Sequence, residues 1–441
     1  MANYTARNFS NDPIVQAQVT EAEYINTYQA KREEKAFVEH SPLLALLKQE
    51  ETMHGKEMEF LYKLSNAATV SAGYVHCKST VGASKKIILK SVKLYAYTDV
   101  DGETMKIFKN DPESVIASFA ERFLEQPVDA FRQNLERQIM TNDIAGTGLL
   151  GTITAVSGSG TPASPYIATL EANEIAEKFK VGMVLHKNDQ GNDGADTAGA
   201  LTLKVVAVTP ANGVDNLKVS LVGAPTGGLS VADTLYMASS KNNELVGLRG
   251  LLLANPGDTV YNTTLDAQMA ATKVDVSSFT NPEVSSRIIR DAITKIKRKS
   301  GEYPDLIMTS DEIYRDLEDI MEGSKTFFIP WDSKTKQGII PIGFNGVEFI
   351  INGKVIRVVA SEFVRTNEIF LLNTKHMVLK WRPDGKPKWD DIDGNVFRTT
   401  TCVDAFDARY KGYGQFMANV GYMGIITGVT TKALLSDPDA E

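Results

Sequence analysis

A chain of 441 residues with 43% hydrophobic and 23% charged side chains has room for two or three domains and a sizeable core, which excludes a disordered or fibrous polymer. Its net charge of -8 argues against a surface that wraps nucleic acid, because phosphate binding relies on clustered Lys and Arg. No apolar run reaches membrane-span length, no secretion signal is visible, and two cysteines, Cys77 and Cys402, are too few for a disulfide scaffold, so a soluble chain that stays where it is made is expected.

Residues 19–50 alternate charged and apolar positions in a helical rhythm, with Pro42 as a first helical residue behind Ser41. The sparse stretch LSNAATVSAGYVHCKSTVG reads as an extended arm. From Lys85 the period becomes two: Val92, Leu94 and Ala96 point one way, Lys93, Tyr95 and Tyr97 the other. The tetrad Asp99-Val100-Asp101-Gly102 then reads as the tip of a long hairpin whose return strand holds Met105, Ile107 and Phe108.

Asp111 and Pro112 open a long helix carrying Val115, Phe119, Phe123, Val128, Phe131, Leu135 and Ile139, broken or kinked at Pro127 and ending near Asn142. Between residues 149 and 246, short apolar runs separated by Gly, Asn, Asp and Pro predict a small β-barrel or sandwich. Asn281-Pro282-Glu283 opens a helix stopped by Gly301. A short buried strand follows over Pro304 to Met308, and Thr309 with Glu312 forms a capping box for a helix ending near Gly323. Strands at Val347 to Ile351, Val355 to Val359 and Ile369 to Leu372 complete an α+β region, and the runs TTTCVDAFDARYKGYGQF and NVGYMGIITGV read as closing strands.

The chemistry-bearing residues form no local signature. His40, His54, His76, His186 and His376 include no pair at metal-ligand spacing. Asp99/Asp101 and Asp391/Asp393/Asn395 depart from the calcium loop in the glycine's position, NDQGNDGADT resembles one turn of a glycine-aspartate calcium repeat but occurs once, and turn chemistry is the simpler reading of each. GSGTPASP lacks the lysine and helix of a phosphate loop. KIKRKSGEYP is a solvated helix end or, less simply, a nucleic-acid contact. The aromatic loops around Phe327, Phe328, Trp331, Trp381 and Trp389 suit a core, a ligand pocket or a subunit contact equally. No catalytic residue, cofactor or metal is expected.

An isolated two-stranded ribbon is marginally stable in water, and nothing adjacent in sequence covers this one, so self-assembly follows as an expectation. The order of parts (arm, hairpin, long helix, a β-rich region ending in GLRGLL, a helix-strand-helix domain, and the closing GYGQFMANVGYMGIITGV) resembles the major capsid proteins of tailed bacteriophages, which have the Hong Kong 97 (HK97) fold.

The resemblance implies an α+β fold divided into an N-terminal arm (1–70), an E-loop hairpin (71–110), the spine helix with the first part of the peripheral P-domain (111–148), an inserted β-rich domain (149–246), a P-domain linker (247–281), an axial A-domain (282–395), and closing strands with a tail (396–441). It implies hexamers and pentamers of the chain itself forming an icosahedral shell around double-stranded DNA, without sequence-specific binding and without a membrane. Scaffolding, portal and decoration proteins are its further partners. The location would be the virion, assembled in the bacterial host cytoplasm. Subunit contacts are expected at Val92, Leu94, Tyr95, Tyr97, Asp99, Asp101, Gly102, Met105, Ile107, Phe108, Phe327, Phe328 and Trp331. No E-loop lysine can be matched to the cross-link that some members form. A tail-tube or decoration protein, and a hydrolase with a β-sandwich appendage, remain the alternatives.

Overall fold

A computed structural model describes residues 42–63, 84–103, 125–187, 202–211, 216–223, 225, 228–280, 282–323, 348–383, 385–391, 396–399 and 403–431. Two compact units divide the chain, one within Met1–Glu57, Lys90–Glu136 and Leu379–Gln415, the other within Met58–Leu89, Arg137–Val378 and Phe416–Glu441.

Helix α1 (Pro42–Leu46) starts on its proline, where the missing N–H has no acceptor to lose, and β1 (Lys48–Glu50) follows. Strands β2 (Glu57–Lys63) and β3 (Ser84–Lys90) pair with each other as a two-stranded ribbon. After Ser91, whose N–H donates to the Lys56 carbonyl at 2.8 Å, comes β4 (Val92–Asp101).

This corrects the expected hairpin. β4 runs through Asp99 and Val100 without turning, and it pairs antiparallel with a strand near the end of the chain, Val92 opposite Gly414 and Asp101 opposite Ala405. Leu94, Thr98 and Val100 are buried in alternation, so the period-two pattern passes straight through the tetrad. Asp101 ends the strand by accepting the Glu103 N–H at 3.2 Å, a helix-capping contact. Gly102 is buried where a Cβ would stand 2.1 Å from Asp404 Oδ1, which explains the glycine without a hairpin turn.

Helix α2 (Gln126–Thr141) has Pro127 as its second residue, directly after Glu125, whose backbone is π-helical. The first half of the expected long helix lies outside the described residues.

The β-rich insertion is a closed barrel of β5 (Leu149–Ser157), β6 (Tyr166–Leu170), β7 (Val184–Lys187), β8 (Leu203–Thr209), β9 (Lys218–Val222) and β10 (Thr234–Met237), ordered β10-β5-β6-β9-β8-β7. Closure leaves no unpaired edge, and Leu150, Ile153, Leu185, Val205, Leu221 and Leu235 fill the interior. GSGTPASP is the β5–β6 connection: Gly158 has φ 93° with its missing Cβ 2.0 Å from the Pro165 carbonyl oxygen.

Helix α3 (Leu248–Leu253) and the short pair β11 (Thr259–Val260) and β12 (Thr263–Thr264) lead to an α+β domain. Its elements are β13 (Thr272–Asp275), α4 (Ser286–Ser300), β14 (Leu306–Thr309), α5 (Asp311–Gly323), β15 (Glu348–Ile351), β16 (Lys354–Ala360) and β17 (Glu368–Leu372). Ser285 caps α4 by accepting the Ile288 N–H at 3.4 Å, a few residues past the expected start, and Gly301 at φ 82° ends it as expected. Ser310 caps α5 through the Ile313 N–H at 3.4 Å, whereas Thr309, the expected cap, is the fully buried last residue of β14.

Beyond these lie β18 (Met377–Trp381), β19 (Lys388–Trp389), β20 (Arg398–Thr399), β21 (Ala405–Ala418) and β22 (Gly424–Thr427). The α+β sheet is ordered β13-β22-β17-β14-β16-β15, so the last strand of the described chain returns to it, parallel to β13. One face of this sheet, with Val274, Ile307, Val358, Ile369 and Ile426, packs under Ile289, Ile293 and Ile296 of α4 and under Ile313 and Leu317 of α5.

The other sheet is built around the fourteen-residue β21, with β4, β18, β19 and β20 as partners and β1 beyond β18. Residues 377–391, expected in the A-domain, belong here. Trp381 and Trp389 are fully buried, Trp389 edge-on to Tyr410 at 5.5 Å and Tyr410 edge-on to Phe131 of α2 at 5.1 Å. Both tryptophans are therefore core residues. Gly412 and Gly414 share that inward face, where a Cβ on Gly414 would meet Trp381 Cε3 at 2.4 Å.

Candidate assembly surfaces

Of the predicted contact residues, the outward face of β4 gathers Tyr95, Tyr97, Asp99 and Asp101, with Tyr95 54% and Tyr97 58% exposed. Strand alternation next to β21 places Tyr97 opposite Arg409, Tyr95 opposite Lys411 and Lys93 opposite Tyr413. The Tyr95 and Tyr413 rings meet edge-on with centroids 6.1 Å apart and hydroxyls 3.4 Å apart. Burial, then the Tyr413 hydroxyl, raises the Tyr95 hydroxyl above its usual pKa. Arg382 lies 5.8 Å and Lys411 5.9 Å from the Tyr413 ring centre, and Lys411 also pairs with Asp390 at 2.5 Å. Large amphipathic rings standing among paired charges make this face suited to a protein partner.

The structure does not bring the remaining predicted residues to that face. Leu94 points inward, Val92 is half-buried, and Gly102 is covered by Asp404. Met105, Ile107, Phe108, Phe327, Phe328 and Trp331 lie outside the described residues.

The second surface is the β2–β3 ribbon. The Ile88 N–H donates to Tyr261 O at 3.1 Å, Thr263 Oγ1 to Lys86 O at 2.5 Å, and Lys85 pairs with Asp266 at 3.1 Å. Ile87 joins Leu251, Val260, Leu265 and Met269 in an apolar pocket. The β11–β12 turn thus holds β3 along its first half, from Lys85 to Ile88. Further pairs, Lys86 with Glu59 and Lys90 with Glu57 at 3.3 Å, are solvent-exposed and add little, so the buried side of β3, with Ile87 and Leu89, holds the ribbon.

A third set of residues, absent from the sequence reading, holds the barrel. Arg137 and Glu244 form a buried ion pair at 2.6 Å, with side chains 4% and 1% exposed. Asn142 donates to Leu245 O at 2.7 Å and accepts from Gly148 N at 2.9 Å, and Gln138 accepts from Leu245 N at 3.2 Å. The glycines of GLRGLL make room for this neck: a Cβ would lie 2.2 Å from Asn142 O at Gly247 and 2.4 Å from Asp143 C at Gly250. Beside it Glu174 of the barrel pairs with Arg365 and with Lys178 at 2.8 Å, and Arg249 grips Glu368 with two nitrogens, the nearest contact at 2.7 Å. Glu174, Lys178, Arg249 and Arg365 border a cavity of about 270 Å³. Burial pulls the Lys178 ammonium down to a pKa of about 8.

Among the described residues no three His, Cys, Asp or Glu side chains are placed to hold a metal ion, and no helix is long and apolar enough to cross a membrane.

No protein-family model and no curated protein matches the chain. Solved structures do resemble it. The capsid asymmetric unit of cyanophage A-1(L) aligns with 89% of this chain and 93% of its own at 12% identity, TM-score 0.47. The capsid of a native GTA particle aligns with 88% and 90% at 7% identity, TM-score 0.41. The SrpI encapsulin of Synechococcus elongatus aligns with 90% of both chains at 8% identity, TM-score 0.40.

Proposed function

We propose that this chain is the major capsid protein of a tailed phage, a structural protein that acts by assembling with copies of itself into hexamers and pentamers of an icosahedral shell around double-stranded DNA. The observation that carries the reading is the β2–β3 ribbon: β3 lies on the β11–β12 turn through Lys85 to Ile88, while β2 has no strand on its other edge among the described residues. An unpaired strand edge is a ready pairing site for another chain. Support also comes from the order of parts: ribbon, helix packed on a sheet with a long closing strand, inserted barrel, α+β domain. In this reading the E-loop is residues 57–90 and the outward face of β4 and β21 lies in the P-domain. Scaffolding and portal proteins would be its partners in the host cytoplasm before the virion matures.

The test is electron microscopy and sedimentation of the expressed chain, with and without residues 64–83. The full chain is expected to form capsomers or closed shells, and the shortened chain to lose them while keeping its unfolding midpoint. A compact monomer at high concentration would overturn the reading. Shells formed at full yield without residues 64–83 would remove the role given to the ribbon.

A further inference from the structure

The two helices on one face of the α+β sheet carry opposite charge. Helix α4 holds six cations, Arg287, Arg290, Lys295, Lys297, Arg298 and Lys299, against the single acid Asp291. Helix α5 reverses the ratio, with six acids against the single cation Arg315. Their apolar residues face the sheet, so most of the charge points outward.

Helix α4 packs over β13 and β22 at one end of the strand order, α5 over β16 near the other. Among the described residues no ion pair joins α4 to α5, so neither helix neutralises the other by direct pairing. Among the described residues Arg287, Arg290, Lys295 and Arg298 have no ion-pair partner, and neither do Glu318 and Asp319. The acidic border is crowded as well. Burial, then Glu362, Glu312 and Asp311, holds the Glu177 carboxyl above its usual range, and burial with Glu312 does the same to Asp311.

We infer that the basic face of α4 on one copy of this chain docks against the acidic face of α5 on the next. The contact is heterologous: two different surfaces of one chain meet, so it repeats head to tail and closes into a ring when the rotation allows. It deepens the self-assembly reading and rests on it. Charge complementarity selects the occupant. A polyanion would satisfy α4 but leave the acids of α5 crowded, in a chain whose net charge of -8 already repels phosphate. A second copy satisfies both faces, and helices of about 22 and 20 Å offer matching lengths.

The test uses full-length chains read by sedimentation velocity and negative-stain microscopy at about 0.1 M salt, where such charges are only partly screened. Arg290→Glu with Arg298→Glu, or Glu318→Lys with Asp319→Lys, is expected to raise the concentration needed for assembly by on the order of tenfold or more. Combining both pairs in one chain is expected to restore it, and mixing the two reversed chains to restore the alternating, even-membered rings, which also shows that each variant folds. Assembly of all variants at the wild-type concentration would overturn this contact while leaving the capsid reading intact. A wild-type chain that never assembles would overturn both. If reversal on α4 abolishes only retention of a double-stranded DNA fragment, the face serves nucleic acid instead and the inference falls.

Discussion

Gly414 sits where no other residue fits: a Cβ would stand 2.4 Å from Trp381 Cε3 and 2.6 Å from the Lys380 carbonyl oxygen, and a backbone oxygen has little freedom to retreat. Gly414→Ala is expected to cost about 1–3 kcal/mol, seen as a lower midpoint in urea unfolding. An unchanged midpoint would contradict the packing of Trp381 on β21. Lys178 is the residue whose contribution depends on pH. Its pKa is about 8 in the fold against 10.5 for a free lysine, so below pH 8 the fold holds a buried ammonium at a cost of roughly 3 kcal/mol. Between pH 8 and 10.5 the unfolded chain keeps that proton while the native chain releases it, so this group's contribution to stability rises with pH across the window. Unfolding measured at pH 7.5 and 10 should show the wild type gaining on Lys178→Met by that order. Parallel pH curves would mean that Lys178 is neutral or solvated throughout.

The elements divide by how far away their partners lie. Helix α4 was legible because its apolar stripe, from Ile289 to Ile296, and its stop at Gly301 are local signals. The barrel was legible because turn residues recur at short intervals. The expected hairpin failed because β4 takes its partner from about three hundred residues downstream, Tyr97 opposite Arg409, and alternation alone does not say which strand comes next. One local signal was available: Thr98 and Val100 continue the inward set through the tetrad taken for a tip. The neck of Arg137, Asn142 and Glu244 was not legible, since a buried ion pair a hundred residues apart leaves no spacing pattern. Removing residues 64–83 should spare the fold, whereas removing 92–101 strips β21 of a ten-residue partner and is expected to abolish soluble protein. Equal solubility of the two deletions would contradict the assignment of β4 as a sheet strand.

At the scale of the whole molecule, the barrel is built to be independent of the chain that carries it. It closes on itself, fills its interior with its own side chains, and leaves by the door it entered: Tyr236 is the register partner of Leu149, and Asn242 N donates to Thr147 O at 3.0 Å. A linker of about three residues between Thr147 and Asn242 can therefore replace it without moving either end. Glu244 remains with Arg137 in that shortened chain, and Arg365, deprived of Glu174, gains access to water, so the buried charges stay compensated. Residues 147–243 expressed alone are expected to unfold in one cooperative transition, and the shortened chain to keep its own. In the intact protein, docking through Glu174 should carry the barrel's transition to a higher temperature than it shows alone, by an amount that shrinks in Arg365→Ala. Calorimetry of the three chains checks this. A broad, non-cooperative melt of the excised barrel would show that it takes its order from the α+β domain, and the insertion would then be a structural part of that domain.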